Sequence, residues 1–446
     1  MLDKVKKTIS DNNMISENDK VLVALSGGCD SVCLCLVLKE LDIDFSVAHL
    51  NHSIREEADS DQEFCENFAT KLGVDFYSKK IDIPLVAKQK GISEEVAGRN
   101  ARYEFFDNLC KEKDFSKIAV AHNLNDNAET VLLNLLRGSG LKGLCGIPKT
   151  RDNIIRPLID VLREEIEEFV KSKNQDFVTD KTNFSDDYTR NKIRNNVINK
   201  LVEINPSALS NISKTTEILT DHDMYFETLA EKYVYFDDKC AYIKISEFET
   251  LEPSVKARVL SKAYTYAAKT SKDFEKKHIE YIINNYNKIS GEIIHLCFDV
   301  VCRSEYGNIV FQKKTEKKDY IYTLPLNTEV YVKEAGIKFL AEIVSRTEMK
   351  KSKDAEFFDV SLAEKEIKIR SRQEGDRMVP FGRKTPVKVK DVLIKNKIPQ
   401  TERNTIPVIE TDEILWLYGV KRADKYKISE NSDKVLKIKG EKTNVK

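Results

Sequence analysis

The first two hundred residues alternate between short apolar runs and longer stretches in which apolar side chains recur every three or four positions. The short runs predict buried β-strands and the longer stretches predict amphipathic helices. The predicted strands lie near 20–25, 44–49, 74–80 and 117–121, and the predicted helices near 30–41, 58–72, 93–112 and 124–137. Strands that alternate with helices in this way indicate a doubly wound parallel α/β sheet.

The pattern changes after residue 205. The segment 205–210 has the composition of a linker, and helical periodicity returns near 211–235, 247–268 and 273–287. Short apolar runs at 293–301 and 309–312 then indicate strands, and a helix is predicted near 389–396. We therefore expect three domains: an N-terminal α/β domain over 1–205, a small helical domain that becomes mixed over 211–318, and a mixed α+β domain over 319–446.

The first predicted strand runs directly into a glycine-rich turn, Ser26-Gly27-Gly28-Cys29-Asp30-Ser31, and then into a helix. Two glycines let backbone N–H groups turn inward around an anion, and the following helix adds its positive N-terminal end. Asp30 is placed to hold Mg²⁺ against bound phosphates. The turn lacks the Gly-Lys-Ser/Thr ending of a Walker A loop, which excludes a kinase-type or GTPase-type site. The alternative is a Ser or Asp N-cap on an ordinary helix.

A second polar group follows the fourth predicted strand. His122, Asp126 and Glu129 are spaced by four and three residues, so they share one face of a helix. An imidazole and two carboxylates above a nucleotide pocket suit Mg²⁺ binding and proton transfer, although a plain polar helix face has the same spacing. His49 and His52 lack a third ligand at a spacing typical of zinc sites, so we expect them to shape the loop over the nucleotide or the target base.

Three basic groups indicate contact with phosphate. Arg99 and Arg102 lie three residues apart on one predicted helix, and a second group occupies 190–194. From 365 to 397, eleven Lys or Arg residues stand against four Asp or Glu. Because the whole chain has 73 basic and 73 acidic residues, only this local clustering points to nucleic acid. Solvated faces and surface ion pairs are the alternatives.

Composition narrows the cellular setting. The chain has 446 residues, and 41% of them are hydrophobic, which is enough for sizeable cores. No apolar stretch approaches the roughly 18 residues of a transmembrane helix, and the N-terminus lacks the apolar core of a signal peptide. We therefore expect a cytoplasmic protein with no membrane partner. Nine cysteines without a CxxC pair predict reduced thiols rather than a disulfide framework or a zinc site.

Taken in order, these motifs resemble the tRNA(Ile)-lysidine synthetase family, which belongs to the ATP-pyrophosphatase superfamily and shares its SGGxDS loop. The motifs in the first half are the 26–31 loop, Asn51-His52-x-x-Arg55, Arg99-x-x-Arg102-Tyr103, Ala121-His122-x-x-x-Asp126-x-x-Glu129-Thr130, the 137–141 segment, Arg156-Pro157-Leu158, Asp180-x-x-Asn183 and Thr189-Arg190-Asn191-x-x-Arg194. Those near the C-terminus are 370–377, 388–393, Lys397-Ile398-Pro399, Arg403 and 416–419, which resemble the family's tRNA-engaging domain. Asn125 departs from the family pattern, because many relatives have two adjacent aspartates at 125 and 126.

The resemblance implies a ligase that uses ATP, Mg²⁺ and free L-lysine to modify the wobble cytidine of a tRNA(Ile) with a CAU anticodon. The C2 oxygen of the cytidine is adenylated, the lysine ε-amine attacks C2, and AMP and pyrophosphate are released. The implied catalytic residues are Asp30, Asp126, His122 and Arg102; ATP is bound by Ser26, Gly27, Gly28, Cys29, Asp30, Ser31 and His49; Mg²⁺ is bound by Asp30 and Asp126; and lysine is bound by Glu129. The implied tRNA-binding residues are Arg55, Arg99, Arg190, Asn191, Arg194, Arg370, Arg372, Arg377, Lys388 and Lys390.

Two other functions stay open from the sequence. A tRNA thiolation enzyme shares the loop, but sulfur-handling members usually need paired or positioned cysteines. A non-catalytic tRNA-binding protein would keep ATP as a structural ligand, which the intact set of Asp30, His122 and Asp126 disfavours. A GMP or asparagine synthetase would need a glutaminase domain, and the sequence has no motif for one. A homodimer is possible, and the sequence does not decide it.

Overall fold

The computed structural model describes residues 1–53, 58–179, 189–238, 240–287, 293–314, 319–350, 352–399, 402–429 and 432–442. The chain forms two compact units, Met1–Glu227 and Thr228–Lys446. The division into three domains, near 205–211 and 318–319, stays a prediction. No helix among these residues combines the length and the apolar character that a membrane span needs.

A parallel sheet forms the centre of the first unit, and it has six strands within the described ranges. In the order β3-β2-β1-β4-β6-β5, they are Phe76–Lys80, Phe45–Asn51, Val21–Ala24, Lys117–Ala119, Ile154–Ile155 and Thr150–Arg151. All neighbouring strands run parallel except β5 and β6 at one edge. The predicted parallel α/β sheet is confirmed, with β1 to β4 at the predicted positions. Strands β5 and β6 were not predicted, because runs of two residues carry no periodic signal.

Helices cover both faces of this sheet. Val21 and Val23 of β1 belong to the core on one face, and Leu22 between them belongs to the core on the other, as the alternation of a strand requires. The helices on the first face are α1 (Leu2–Asp11), α2 (Cys29–Glu40), α3 (Ala58–Leu72) and α8 (Arg163–Ser172), and those on the second are α4 (Ile83–Lys90) and α5 (Glu94–Lys113). Burial on both faces confirms the doubly wound arrangement.

The other helices of the first unit follow β4 and β6. They are α6 (Leu124–Leu136), α7 (Leu141–Leu144), α9 (Thr189–Lys192), α10 (Asn199–Ile204) and α11 (Ala208–Glu231). Between α9 and α10 the chain forms a π-helical segment, Ile193–Ile198. Such segments are rare and often occur at functional sites. The four helices predicted within the first two hundred residues correspond to α2, α3, α5 and α6.

The second unit begins with helices that pack on an antiparallel sheet. The helices are α12 (Ile245–Phe248), α13 (Pro253–Ala268) and α14 (Lys276–Asn285). The strands, in the order β7-β8-β11-β10-β9, are Tyr235–Phe236, Cys240–Lys244, Asn308–Lys313, Val300–Glu305 and Ile294–His295. The predicted helical region is confirmed, and α13 contacts β8 and β11. Strands β7 and β8 are additions that the sequence pattern did not indicate.

Two antiparallel sheets and a ribbon form the C-terminal part. One sheet has the order β12-β16-β19-β20-β21, with strands Ile321–Thr323, Lys368–Arg370, Val408–Glu410, Ile414–Leu417 and Lys421–Arg422. The other has the order β13-β14-β22-β15, with strands Val330–Val332, Ile337–Ser345, Lys434–Lys442 and Ala355–Asp359. The ribbon pairs β17 (Arg377–Met378) with β18 (Val387–Lys388), and α15 (Val389–Lys395) follows it. Trp416 and Phe358 share one core between the two sheets. The mixed α+β prediction is therefore confirmed for this part.

The glycine loop should be less tolerant of a side chain than another left-handed glycine of the same unit. Gly27 has φ +85°, and an added Cβ would lie 3.2 Å from both Cys65 Sγ and Val178 Cγ2. Gly73 has φ +68° with open space around it. We expect Gly73→Ala to lower the free energy of unfolding by about 1 kcal/mol through backbone strain alone, and Gly27→Ala by about 2–3 kcal/mol because crowding adds to that strain. Urea unfolding followed by circular dichroism measures both, and equal losses would contradict the crowding argument.

Candidate active site

The loops that follow β1, β2, β4 and β6 leave the sheet at one edge. These strands are parallel neighbours, so their carboxyl ends lie side by side. Ligands of open α/β sheets bind beyond this edge, at the point where the strand order reverses. The reversal falls between β1 and β4, where the glycine loop and His122 emerge.

The serines of the glycine loop hold its shape. The Ser31 hydroxyl donates to the Gly28 carbonyl at 2.9 Å and accepts the Ser26 N–H at 3.1 Å. The left-handed Gly27 presents its carbonyl to the Val178 N–H at 2.9 Å. Gly28 is the N-cap of α2, so the positive end of this helix opens beside the loop. The loop therefore has the fixed turn and helix end that an anion site requires.

Cys29 belongs to the glycine loop, and His49 contacts Leu25 directly before it. Burial, and then the charge of Asp30, raises the pKa of the Cys29 thiol to about 12, so the thiol is protonated at neutral pH. His49 Nδ1 lies 3.0 Å from the Leu25 carbonyl. A carbonyl only accepts, so Nδ1 carries the proton and Nε2 is free of one; burial lowers the pKa of His49. Contact of these two side chains with ATP stays a prediction.

Asn123 joins the two carboxylates of the site. Its Nδ2 donates to Asp30 Oδ1 at 3.2 Å, and its Oδ1 accepts the Asp126 N–H at 3.0 Å. Asp126 Oδ2 in turn accepts the Asn123 N–H at 3.2 Å, which completes a capping box at the start of α6. Burial, and then the neighbouring Asp126 charge, raises the pKa of Asp30 to about 6. One asparagine thus holds both carboxylates.

The pair of carboxylates fits Mg²⁺. Two half-buried acids that repel each other are relieved by a cation between them. Across the described residues, no group of three or more His, Cys, Asp or Glu is arranged to hold a metal. Mg²⁺ in nucleotide sites is commonly bound by one or two carboxylates together with substrate phosphates and water. Asp30 and Asp126 meet that requirement.

Two arginines neutralise the acidic side of the site. Arg190 of α9 donates through Nε to Glu129 Oε2 at 2.8 Å and through Nη2 to Asp126 Oδ1 at 3.2 Å. Arg194 of the π-helical segment donates through Nε to Glu129 Oε1 at 2.5 Å and through Nη2 to Asp126 Oδ1 at 3.1 Å. Glu129 is only 1% exposed. Both arginines were predicted to bind tRNA, and the structure places them on the acids of the site; Asn191 lies between them on α9.

A cationic group surrounds His122. Arg156 Nε donates to His122 Nδ1 at 3.1 Å. Burial, and then the charges of Arg156, Arg190, Arg99 and Arg102, lowers the pKa of His122 to about 3, so the imidazole is neutral. Arg102 Nη2 lies 3.2 Å from His52 Nε2, and Arg99 and Arg151 lie over the Tyr103 ring. Several positive charges around a neutral imidazole attract an anion.

The basic C-terminal residues separate into two kinds. Arg370 is buried, with Nη1 donating to Asp376 Oδ2 at 2.9 Å and Nη2 to Glu410 Oε2 at 2.6 Å. Arg372 is half-buried and donates to Asn404 Oδ1 at 2.8 Å. Arg377 and Lys388 are exposed and directly opposite each other on the β17–β18 ribbon, and Lys390 is exposed at the start of α15. Arg55 lies outside the described residues.

Comparison with known proteins gives two family matches. A PP-loop domain model matches residues 1–201, and a TilS substrate C-terminal domain model matches 367–438. A tRNA(Ile)-lysidine synthase of Caldanaerobacter subterraneus is 38% identical, with 98% of this chain and 97% of that protein covered. Its namesakes from Clostridium acetobutylicum (36% identical, 99% and 100% covered) and Persephonella marina (34%, 97% and 98%) match in the same way. This chain belongs to the tRNA(Ile)-lysidine synthase family.

Sequence reasoning missed Asn123 and Arg156 as lysidine synthase site residues. Both lie inside the PP-loop match. Asn123 with Asp126 three residues later is a capping-box pattern, which the sequence does show. Arg156 had no signal beyond its place in the family motif, because its strand β6 has two residues and its partner His122 is 34 positions away.

Removing a partner of the buried Glu129 should destabilise the first unit more than removing a surface partner. Arg194→Met leaves a carboxylate that is 1% exposed with fewer donors, so we expect a loss of about 1–3 kcal/mol. Lys4→Met removes an ion pair to Glu165 whose side chains are 41% and 32% exposed, and we expect less than about 1 kcal/mol. Chemical denaturation measures both, and an equal effect would show that Arg194 does not support Glu129.

Proposed function

We propose that this protein ligates free L-lysine to C2 of the wobble cytidine of a tRNA(Ile) with a CAU anticodon, at the expense of ATP. In the first step the cytidine O2 attacks the α-phosphorus of ATP, and pyrophosphate leaves. In the second step the ε-amine of lysine attacks C2, the C2–O2 bond breaks, and AMP leaves. The ammonium proton passes to a base or to the departing phosphate, because free lysine is protonated at neutral pH.

One observation carries this proposal: the glycine loop, the two carboxylates and the cationic group around His122 meet at one edge of one sheet. This edge holds the groups that adenylation needs, because phosphates and the Mg²⁺ charge require neighbouring cations and acids. The relatives named tRNA(Ile)-lysidine synthase match this chain over nearly its full length, which supports the same substrate.

The cationic side is the proposed site of the α-phosphate. His122 has its Nδ1 occupied by Arg156, so Nε2–H is the donor it offers. Arg102 is exposed at the same place and adds a guanidinium group that suits a phosphate oxygen. The glycine loop and the N-terminal end of α2 then receive the β- and γ-phosphates that leave together.

Asp30 and Asp126 are the proposed Mg²⁺ residues. When bound, the ion offsets charge on the phosphates as pyrophosphate departs. The protein prepares this position through Asn123, which fixes one oxygen of each carboxylate. The second oxygen of Asp126 accepts from Arg190 and Arg194 in this structure.

Glu129 is the proposed partner of the lysine substrate. Its two oxygens accept three N–H groups from Arg190 and Arg194, and its side chain is 1% exposed. A substrate ammonium can therefore reach Glu129 only if one arginine yields its place. We propose that Arg190, the more exposed of the two at 41% against 26%, is the one that yields.

Binding of tRNA is proposed for the exposed basic residues. Arg377 and Lys388 are like charges directly opposite on a ribbon, an arrangement that is unfavourable unless an anion lies between them; Lys390 follows on α15. Arg99, Arg190, Asn191 and Arg194 stay proposals for the first unit, as does Arg55. For Arg370 we propose an indirect role, because its donors already serve Asp376 and Glu410. Arg372 stays a proposal for tRNA binding, with one of its donors directed at Asn404. A cytoplasmic location remains a prediction from the sequence.

Product analysis tests the reaction. Incubation with ATP, lysine and a CAU-anticodon tRNA, followed by digestion to nucleosides and mass spectrometry, should yield lysidine. A thiolated nucleoside would support the alternative enzyme. The absence of tRNA-dependent pyrophosphate release would support a non-catalytic binding protein.

We expect Asp126→Asn to slow single-turnover adenylation by about a hundredfold or more, because charge on the phosphates is then poorly offset.

The matched control is Asp107→Asn, which makes the same change on the exposed surface of α5. This variant should keep its rate within about twofold. Circular dichroism checks that Asp126→Asn is folded, since Asp126 also accepts from Arg190 and Arg194. Near-normal adenylation and lysine transfer by folded Asp126→Asn would refute the assignment of Asp126.

The salt dependence of tRNA binding tests the C-terminal surface. Log affinity falls linearly with log salt concentration, and each phosphate contact removed makes this negative slope shallower by about one. The double variant Lys388→Gln, Lys390→Gln should therefore have a slope that is shallower by about two, and it should bind tRNA more weakly at low salt. Lys338→Gln, an exposed lysine of the same unit 3.6 Å from Glu329, should leave the slope unchanged. Identical slopes in the wild type, the double variant and Lys338→Gln would show that Lys388 and Lys390 are solvated surface residues that do not contact tRNA.

A further inference from the structure

Arg156 is the most buried cation at the candidate site. Its side chain is 2% exposed, although it carries a full charge. It follows β6 directly, and β6 pairs in parallel with β4, so Arg156 and His122 leave neighbouring strands at the same edge. The Val120 N–H donates to the Ile155 carbonyl at 2.9 Å, which fixes the two chains between these residues.

The hydrogen bonds of Arg156 are directed at the protein. Nε donates to His122 Nδ1 at 3.1 Å, and Nη1 donates to the Pro148 carbonyl at 2.7 Å. The Tyr103 side chain lies beside this guanidinium group. The backbone N–H of Arg156 donates to the Lys149 carbonyl at 3.1 Å, and the Arg156 carbonyl accepts the Ile159 N–H at 3.2 Å. A side chain held in this way is poorly placed to bind substrate itself.

The contact with His122 decides which ring nitrogen carries the proton. A guanidinium group has donors and no acceptor, so Nδ1 must accept and cannot carry a hydrogen. The proton of the neutral ring then lies on Nε2. His49 has the opposite form, because its Nδ1 faces a carbonyl that can only accept. The two imidazoles at this edge of the sheet therefore differ in tautomer for a reason visible in their partners.

We propose that Arg156 is a positioning residue that holds His122 as the neutral Nε2–H tautomer, which makes His122 a hydrogen-bond donor to an anion and removes it as a proton acceptor. The identity of that anion as the α-phosphate rests on the proposed function. The groups that face His122 agree with this state: Arg156, Arg190, Arg99 and Arg102 are all cations, and each disfavours a second proton on the ring. Tyr103 contributes a phenol beside Arg156.

Nitrogen NMR of the full-length protein tests the tautomer directly. The chain has six histidines, so ¹⁵N-histidine labelling gives a simple spectrum, and the His122→Gln spectrum identifies the His122 signals. We expect Nδ1 of His122 to be unprotonated and Nε2 protonated from pH 8 to pH 5, with His49 showing the reverse pattern as an internal control. A proton on Nδ1 of His122, or titration of the ring within that range, would overturn the proposal.

Variants separate the hydrogen bond from the charge. Arg156→Met should give His122 mixed tautomers, and Arg156→Lys, which keeps a donor and a charge, should restore the Nε2–H form. Arg99→Met removes a neighbouring charge but leaves the Nδ1 bond, so its His122 should keep the wild-type tautomer. An unchanged tautomer in folded Arg156→Met would overturn the proposal. If Arg156→Met does not fold, the wild-type and Arg156→Lys spectra decide.

Kinetics distinguish positioning from simple support of the fold. In Arg156→Met, kcat for tRNA-dependent pyrophosphate release should fall about tenfold or more while the KM for ATP changes less than about threefold, because the donor acts mainly in the transition state. Partial recovery in Arg156→Lys is expected. Equal kcat in folded Arg156→Met and wild type would overturn the catalytic consequence. If no lysidine forms but the spectra are as expected, the proposed function fails and the tautomer assignment stands.

Discussion

Charges that are buried at the carboxyl edge of the parallel sheet must be paired or hydrogen-bonded by their immediate neighbours, and this constraint organises the first unit. Glu129 and Arg156 are 1% and 2% exposed, yet both carry full charges. Glu129 is balanced by Arg190 and Arg194, which brings α9 and the π-helical segment onto α6. Arg156 instead donates hydrogen bonds to a neutral imidazole and a carbonyl, which leaves net positive charge on its side. The candidate site therefore has an acidic half around Glu129 and a cationic half around Arg156.

The sequence predicted the parts of this site that depend on neighbouring residues. The glycine loop was evident because strand, turn and helix are consecutive, and Asp126 and Glu129 share a face of α6 through spacing alone. The prediction that His122 lies on the same helix face was wrong, because His122 precedes the N-cap Asn123 and contacts Arg156 instead. The destination of Arg190 and Arg194 was not evident, because a basic run has the same appearance whether it meets phosphate or a carboxylate about sixty residues away. Arg156 was missed as a site residue because its position depends on the pairing of β4 with β6, and two-residue strands leave no periodic trace.

The C-terminal part shows the same limit for charge counting. The count of basic residues over 365–397 does not distinguish Arg370 from Lys388. The structure does, because Arg370 is buried and Lys388 is exposed. Arg370 lies in β16, and its charge is paired with Glu410 of the neighbouring strand β19 and with Asp376 of the loop that follows β16. Lys388 lies opposite Arg377 on a ribbon, and an external anion is the simplest way to offset that pair. Which basic residues are buried in ion pairs and which are exposed is therefore decided by the folded structure, which composition does not contain.

The two halves of the site also constrain the second step of the proposed reaction. With Nδ1 of His122 occupied by Arg156, this imidazole is not placed to take the lysine proton. The acids of the other half accept arginine N–H groups on the oxygens that a substrate amine would approach. A lysine ammonium that reaches Glu129 therefore replaces a guanidinium group of equal charge, so the buried carboxylate stays neutralised throughout. Exchange of one cation for another avoids the cost of an uncompensated buried charge, and it links lysine binding to movement of an arginine that also contacts Asp126.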